Sequence, residues 1–170
     1  MRPMVDADIE EVLRIEQAVQ AYPWTRGNFT DVLTNNYVCR VNETDTGIRG
    51  YAILMPVLDE AELLNIGVAK EWQRKGCGRA ILSVMLETAR EKNIRRVFLE
   101  VRPSNSAAIA LYRSAGFAGM GVRHGYYQNT SGSEDAITMA CELPSRVESP
   151  EVPELKEAER PELKDQHGPA

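Results

Sequence analysis

Gln73-Arg74-Lys75-Gly76-Cys77-Gly78 sits between two segments of opposite periodicity. Before it, Ala61 to Val68 reads as a strand; after it, Ile81, Leu82, Met85, Leu86 and Ala89 recur at helical spacing. The loop therefore opens a helix, whose first backbone N–H groups lack an intrahelical acceptor and whose dipole favours an anion. Gly76 and Gly78 let the backbone approach a diphosphate where a Cβ would obstruct it, and Arg74, Lys75 and Arg79 add positive charge around the same turn. Strand, basic glycine loop and helix, in that order, predict phosphate binding. The loop lacks the Gly-Lys-Ser/Thr of a P-loop, and Ile81 stands where a dinucleotide fingerprint has its third glycine, so ATP and NAD chemistry are disfavoured. Cys77 admits two readings, a thiol activated at a helix N-terminus and a small side chain packed beneath the loop, of which the second is favoured.

Outward from the loop, the chain alternates helical and strand patterns up to Leu143. Ile9, Val12, Leu13 and Glu16 share a helical stripe with Asp6 or Asp8 available as N-cap, and a second helix starts near Thr25 and carries Phe29, Val32 and Leu33. Strands are expected at Tyr37 to Val41 and Ile48 to Met55, the latter broken by Pro56 and Asp59. Val97-Phe98-Leu99-Glu100-Val101 is a further strand, and a helix from Asn105 to Ala115 ends at Gly116. Two last strands, near Phe117 to Arg123 and Ala136 to Leu143, are joined by a polar loop. With Pro3 to Val5 as a first strand the order is β-α-α-β-β-β-α-β-α-β-β. The fold class is α/β, a mixed sheet of about seven strands flanked by about four helices.

Composition narrows the function. Hydrophobic residues make up 43% and charged residues 26% of 170, enough for one buried core. No apolar run approaches the roughly 20 residues of a membrane span, and acidic residues begin at once after the N-terminus, so the expected compartment is the cytoplasm. A net charge of −5 argues against nucleic acid and agrees with a cationic acceptor such as an amine. Cys39, Cys77 and Cys141 are odd in number and widely spaced, with two histidines beside them, so neither disulfides nor a metal is expected. Residues 144–170 are rich in Pro, Glu and Lys and repeat Pro-Glu-Leu-Lys at Pro153 and Pro161, the composition of a disordered acidic tail. No surplus apolar surface is readable, and a monomer is expected.

The loop resembles the (Gln/Arg)-x-x-Gly-x-(Gly/Ala) motif of GNAT acetyltransferases. Leu64-Asn65-Ile66-Gly67-Val68 resembles their fourth strand, and Asn105 to Tyr112 followed by Gly116-Phe117 resembles their cofactor-contacting helix. Tyr22-Pro23-Trp24, Leu58-Asp59-Glu60-Ala61, Leu99 to Asn105, and Tyr126-Tyr127 with Glu134 to Ile137 together resemble the RimI type, the ribosomal-protein alanine N-acetyltransferases. The resemblance covers residues 1–143 and leaves the tail aside.

It implies that the fourth and fifth strands splay and that acetyl-CoA is the co-substrate. Backbone groups of Ile66, Gly67 and Val68 would pair with pantetheine like an added strand, with the Val68 N–H polarising the thioester carbonyl. Arg74, Lys75, Gly76, Cys77, Gly78 and Arg79 would hold the diphosphate. The Asn105 amide would contact the cofactor, a use that competes with a helix N-cap at the same position. Alternation puts Phe98, Glu100 and Arg102 on one strand face. Read alone, Glu100 is solvated or paired with Arg102; the resemblance makes it the general base. Tyr112, otherwise a core aromatic, becomes the candidate acid toward sulfur. Trp24, Glu60, Tyr126 and Tyr127, with Glu62 nearby, would form the acceptor side, although each also has an ordinary packing role. His124 beside the tyrosines reads as a surface residue.

The implied acceptor is the N-terminal amine of a ribosomal protein, the family's target being the alanine of small-subunit protein eighteen. An α-amine of pKa ~8 is roughly a tenth neutral near pH 7, whereas lysine at ~10.4 is far less so, and the α-amine asks only modest help from a carboxylate. A phenol near ~10 is a weaker acid than a thiol near ~8.5, so Tyr112 is expected to tighten a hydrogen bond to sulfur as charge develops there. The competing readings are a GNAT enzyme for other N-termini, lysines or small amines, and a non-catalytic acetyl-CoA-binding module.

Overall fold

The computed structural model describes residues 1–129 and 132–144. The expected acidic tail, from residue 145 onward, lies outside the described residues. Seven strands, β1 (Arg2–Pro3), β2 (Val38–Thr44), β3 (Gly47–Val57), β4 (Glu60–Val68), β5 (Arg96–Val101), β6 (Ala118–Asn129) and β7 (Gly132–Glu142), form one sheet. Four α-helices, α1 (Ile9–Val19), α2 (Arg26–Thr34), α3 (Cys77–Glu91) and α4 (Ser106–Ser114), flank it. The sheet order is β1-β2-β3-β4-β5-β7-β6, and the one parallel pair among these neighbours is β4 with β5.

Two cores, one on each face, hold the sheet in place. Ile81, Leu82, Met85 and Ala89 of α3 pack with Ala52, Leu54, Val97 and Leu99, and Tyr112 and Phe117 close that side. On the other face Ile9, Val12 and Ile15 of α1 and Phe29 and Val32 of α2 cover Val41, Tyr51 and Ile53. Alternation makes this possible: β5 buries Val97, Leu99 and Val101 beneath α3 and α4 and turns Phe98 and Glu100 to the opposite, more open face.

Local chemistry corrects several boundaries. Pro56 does not break β3, because its position opposite Ala61 remains in the ladder and the turn falls at Leu58–Asp59. Asp8 does not cap α1; its carboxylate accepts the Val5 N–H at 2.8 Å and pairs with Arg2 at 2.8 Å, closing the short 3-10 turn Asp6–Asp8. Thr25 does cap α2, exchanging hydrogen bonds with Asn28. The polar loop expected after Arg123 is largely strand: β6 and β7 continue as a long hairpin through an irregularity between Arg123 and Tyr127. Asp135 stabilises that irregularity, accepting the Gly125 N–H at 2.8 Å and lying 2.9 Å from His124 Nδ1.

Candidate active site

The parallel pairing of β4 and β5 lasts from Glu60↔Arg96 to Glu62↔Phe98 and then stops. Beyond it, the C-terminal half of β4 and Leu99 to Val101 diverge and leave a V-shaped gap in the sheet. The Ala69 N–H donates to Arg49 O at 2.8 Å, and the register continues through Gly67↔Tyr51. Bonded pairs recur at every second residue of an antiparallel ladder. Gly67 therefore directs its N–H and C=O to β3, while Ile66 and Val68 turn theirs into the gap.

This assigns the three residues of the expected pantetheine strand different tasks. Ile66 and Val68 turn their N–H groups, and the remaining lone pair of each carbonyl, toward the place of an added strand. Gly67 does not; its place in the fold is set by the Tyr51 ring, whose atoms would lie 2.5 Å from any Cβ there. Each carbonyl in the gap already accepts one side-chain donor, Ile66 O from Gln20 Nε2 at 3.2 Å and Val68 O from Gln73 Nε2 at 3.0 Å. The second of these bonds folds the basic loop back against the strand end.

At the mouth of the gap, Gly76 caps α3 with φ +82, a conformation few other residues adopt. Among the described residues, the N–H groups of Arg74 to Arg79 have no protein acceptor, the first bond of the turn being Ala80 N–H to Gly76 O at 3.0 Å. A Cβ on Gly78 would make ordinary contacts with Leu111 at 3.4 Å and Val68 at 3.6 Å, which places the start of α3 beside the strand end. Arg49 of β3 and Lys75 of the loop both lie over the Trp72 ring, 3.7 Å and 5.1 Å from its centre. A row of unaccepted amides flanked by guanidinium and ammonium groups fits a diphosphate. Cys77 is buried, burial raises its thiol pKa, and Asn42 Nδ2 lies 3.7 Å from its sulfur. It is a packed neutral thiol, in keeping with the favoured reading.

On the open face of β5, Glu100 has an 11% exposed side chain and accepts a hydrogen bond from Arg123 Nη1. Its partner is thus Arg123, from the edge strand, and not Arg102, which pairs with Glu134 at 3.2 Å. Arg102 also stacks between two rings, Tyr127 at 3.9 Å and Tyr22 at 4.3 Å, while Arg123 lies 4.3 Å from the Tyr126 ring. Tyr126 and Tyr127 meet edge to face at 5.0 Å. Burial, followed by the nearby Glu100 charge, pushes the Tyr127 phenol up to about 12, and a hydrogen bond to Glu100 raises that of Tyr126. Glu62 is raised first by burial and then by the charge of Glu100. Glu60 lies at the base of the pairing and bonds Arg96 at 3.4 Å.

Tyr112, on α4, is buried against Phe117, and its phenol is pushed well above the ordinary range by burial and then by Tyr127. Among the described residues its hydroxyl has no hydrogen-bond partner. Asn105 caps α4, its Oδ1 accepting the Ala108 N–H at 3.2 Å, which leaves the amide NH₂ for other use. Trp24 is half-buried on Phe29 with ring centres 5.4 Å apart. Sequence reasoning missed Arg123 and the role of Glu16. An arginine on an edge strand carries no sequence signal, but a glutamate in the apolar stripe of α1 does.

The described residues contain no helix long and apolar enough to cross a membrane and no cluster of potential metal ligands. The profile of the Acetyltransferase (GNAT) family matches residues 9–117. The [ribosomal protein bS18]-alanine N-acetyltransferase of Escherichia coli K12 is 40% identical over 136 residues, 80% of this chain and 92% of that protein. A Bacillus subtilis protein described as a putative enzyme of the same name is 35% identical over 141 residues, 82% of this chain and 92% of its own. The crystal structure of the E. coli ribosomal-protein-S18-alanine N-acetyltransferase superposes with a TM-score of 0.80 at 36% identity, covering 87% of this chain and 96% of that one. The splayed strands, the amide-lined loop and these relationships agree: this chain belongs to the GNAT acetyltransferase family.

Proposed function

We propose that this protein transfers the acetyl group of acetyl-CoA to the N-terminal alanine of ribosomal protein bS18, acting as a cytoplasmic monomer. The observation that carries the reading is the alternation of β4, which aims the free N–H groups of Ile66 and Val68 into a gap bounded by the basic loop and by Glu100. The relatives that bear this activity in their names span nearly the same length, which supports the same acceptor.

Acetyl-CoA supplies an activated acyl group as a thioester. The amides of residues 74–79, with Arg74, Lys75 and Arg79, hold its diphosphate, and Asn105 offers its amide NH₂ to the same molecule. Ile66 and Val68 pair with the extended arm, and the Val68 N–H stabilises negative charge developing on the carbonyl oxygen. The acceptor amine arrives from the tyrosine side, past Tyr126, Tyr127, Tyr22 and Trp24. Glu62 and Glu100 attract its ammonium form, and Glu100 takes the proton, directly or through water. Tyr112, kept protonated by burial, donates a hydrogen bond to the departing sulfur. Glu60, tied to Arg96, serves the acceptor side at most through long-range charge.

The test is transfer from acetyl-CoA to peptides beginning with the bS18 N-terminus, with lysine-bearing and N-terminally blocked peptides in parallel. Acetylation of the alanine amine is expected. Glu100→Gln is expected to lower kcat about a hundredfold or more while calorimetry shows unchanged acetyl-CoA binding. Transfer only to lysine or to small amines would overturn the acceptor assignment. Binding of acetyl-CoA without transfer to anything would overturn the enzymatic one.

A further inference from the structure

Glu16 lies in the apolar stripe of α1 and is 1% exposed. Its Oε1 accepts the Trp24 N–H at 2.8 Å and Asn65 Nδ2 at 3.1 Å, and its Oε2 accepts the Tyr51 hydroxyl. The three donors come from three places: the connection between α1 and α2, strand β4 and strand β3. Asn65 extends the net, since its Oδ1 accepts Gln20 Nε2 at 3.3 Å and the same Gln20 nitrogen lies 3.2 Å from Ile66 O. Burial and the adjacent Glu16 hold the Tyr51 phenol well above its usual range, so it remains a donor.

The net sits where β4 departs from regularity. Register between β3 and β4 shifts between Ile53 and Leu54, so that Asn65 faces Ile53 and Leu63 faces Leu54. The segment after that shift carries Ile66 and Val68 into the gap. The other end of the net is the backbone of Trp24, two residues after Tyr22, whose ring stacks on Arg102. An apolar side chain here would strand the Trp24 N–H, the Asn65 amide and the Tyr51 hydroxyl without an acceptor, so it is the carboxylate that ties the three segments together.

We propose that Glu16 is a positioning residue that locks the connection bearing Tyr22 and Trp24 to the strand presenting Ile66 and Val68, thereby fixing how far the acceptor lies from the thioester. The proposal rests on the assignment of the gap to acetyl-CoA and of the tyrosine side to the acceptor. Glu16→Gln preserves shape but replaces one acceptor oxygen with a donor: on one side it faces the Trp24 N–H and the Asn65 amide, and on the other the Tyr51 hydroxyl must turn to accept it and loses the acceptor for its own proton.

Steady-state kinetics with the bS18 peptide, acetyl-CoA calorimetry and hydrogen exchange on the same proteins test it. Glu16→Gln is expected to raise the peptide KM about tenfold or more and to leave the acetyl-CoA Kd nearly unchanged, because residues 74–79 are untouched. Without any acceptor present, amides at residues 21–25 and 65–68 are expected to lose protection together while those of α3 keep theirs. Tyr51→Phe removes a single donor, should Glu16→Gln fail to fold, and is expected to shift the same quantities in the same direction by less. A lowered Tm with normal KM, or loss of protection in one of the two segments alone, would overturn the proposal. If the wild type does not acetylate the peptide, the acceptor assignment falls, and the exchange data still decide whether Glu16 couples the two segments.

Discussion

Arg123 holds Glu100: a guanidinium on the sheet's edge strand donates to the carboxylate assigned as the base. The two side chains differ in exposure, 59% for Arg123 against 11% for Glu100, so the arginine can swing into solvent while the glutamate stays in place. An ammonium arriving at Glu100 must compete with this ion pair. Arg123→Ala is therefore expected to lower the peptide KM by about two- to fivefold, the range of an exposed pair, with kcat nearly unchanged. The KM of the variant should also depend less on salt. A higher KM would mean that Arg123 binds the acceptor and does not compete with it.

Tyr112 has the opposite character, a buried phenol with no partner among the described residues and a raised pKa. Tyr112→Phe is expected to lower kcat by about ten- to a hundredfold and leave acetyl-CoA binding intact. An acid whose pKa lies above its ordinary value stays protonated through neutral and alkaline pH. The wild-type kcat should accordingly show no loss assignable to Tyr112 below about pH 10. A variant with wild-type kcat would remove the assignment, whereas an alkaline limb below that pH that disappears in Tyr112→Phe would show that burial does not raise this phenol.

The sequence signals that held are the local ones. The switch from strand to helix across Gln73 to Gly78 depends on neighbouring residues, and it appears where the periodicity put it. The same is true of the helix start near Thr25 and of the Asn105 cap. What could not be read are pairings between distant segments. Glu100 and Arg102 share a strand face, yet the cross-strand partners Arg123 and Glu134 win both ion pairs because β7 and β6 lie next to β5 in the same sheet. Gly67 was legible as part of the cofactor strand but not as the residue facing β3, since that depends on the register with Tyr51. Only the stretch between Arg123 and Ala136 reads as loop, because Gly and polar residues dominate it. Its irregularity at Asp135 reconciles that composition with pairing.

Buried thiols and phenols set the alkaline limit of stability. Burial raises Cys39 to about 11, and Tyr51 and Tyr112 are both raised above their ordinary range. In each case the folded chain keeps a proton that the unfolded chain releases, so stability falls as pH rises past the unfolded pKa. The free energy of unfolding should be level to about pH 8.5, decline as cysteine ionises in the unfolded chain, and decline more steeply above about pH 10. Urea titrations from pH 7 to 10.5 measure this, and Tyr51→Phe should flatten the upper part. Stability that is constant across the whole interval would contradict the burial of these groups.

Gly67 and Gly76 both serve the gap, for separable physical reasons. A Cβ on Gly67 would lie 2.5 Å from Tyr51 Cε1 and 2.6 Å from Cζ. The ring cannot retreat, because it packs on Phe29 at 5.7 Å and its hydroxyl is bound by Glu16. Gly67→Ala is expected to cost about 1–3 kcal/mol, as overpacking does, and to lower Tm by at least about 3 °C. Gly76 has nothing within 4 Å of its missing Cβ, but its φ of +82 strains any other residue. Gly76→Ala should cost about 1–2 kcal/mol and weaken acetyl-CoA binding out of proportion to that, since relaxing the strain disperses the amides of residues 74–79. A double-mutant cycle separates the two. In a Tyr51→Ala background Gly67→Ala should cost almost nothing, whereas Gly76→Ala should cost as much as before. Equal penalties for Gly67→Ala with and without the Tyr51 ring would show that the ring is not what requires glycine there.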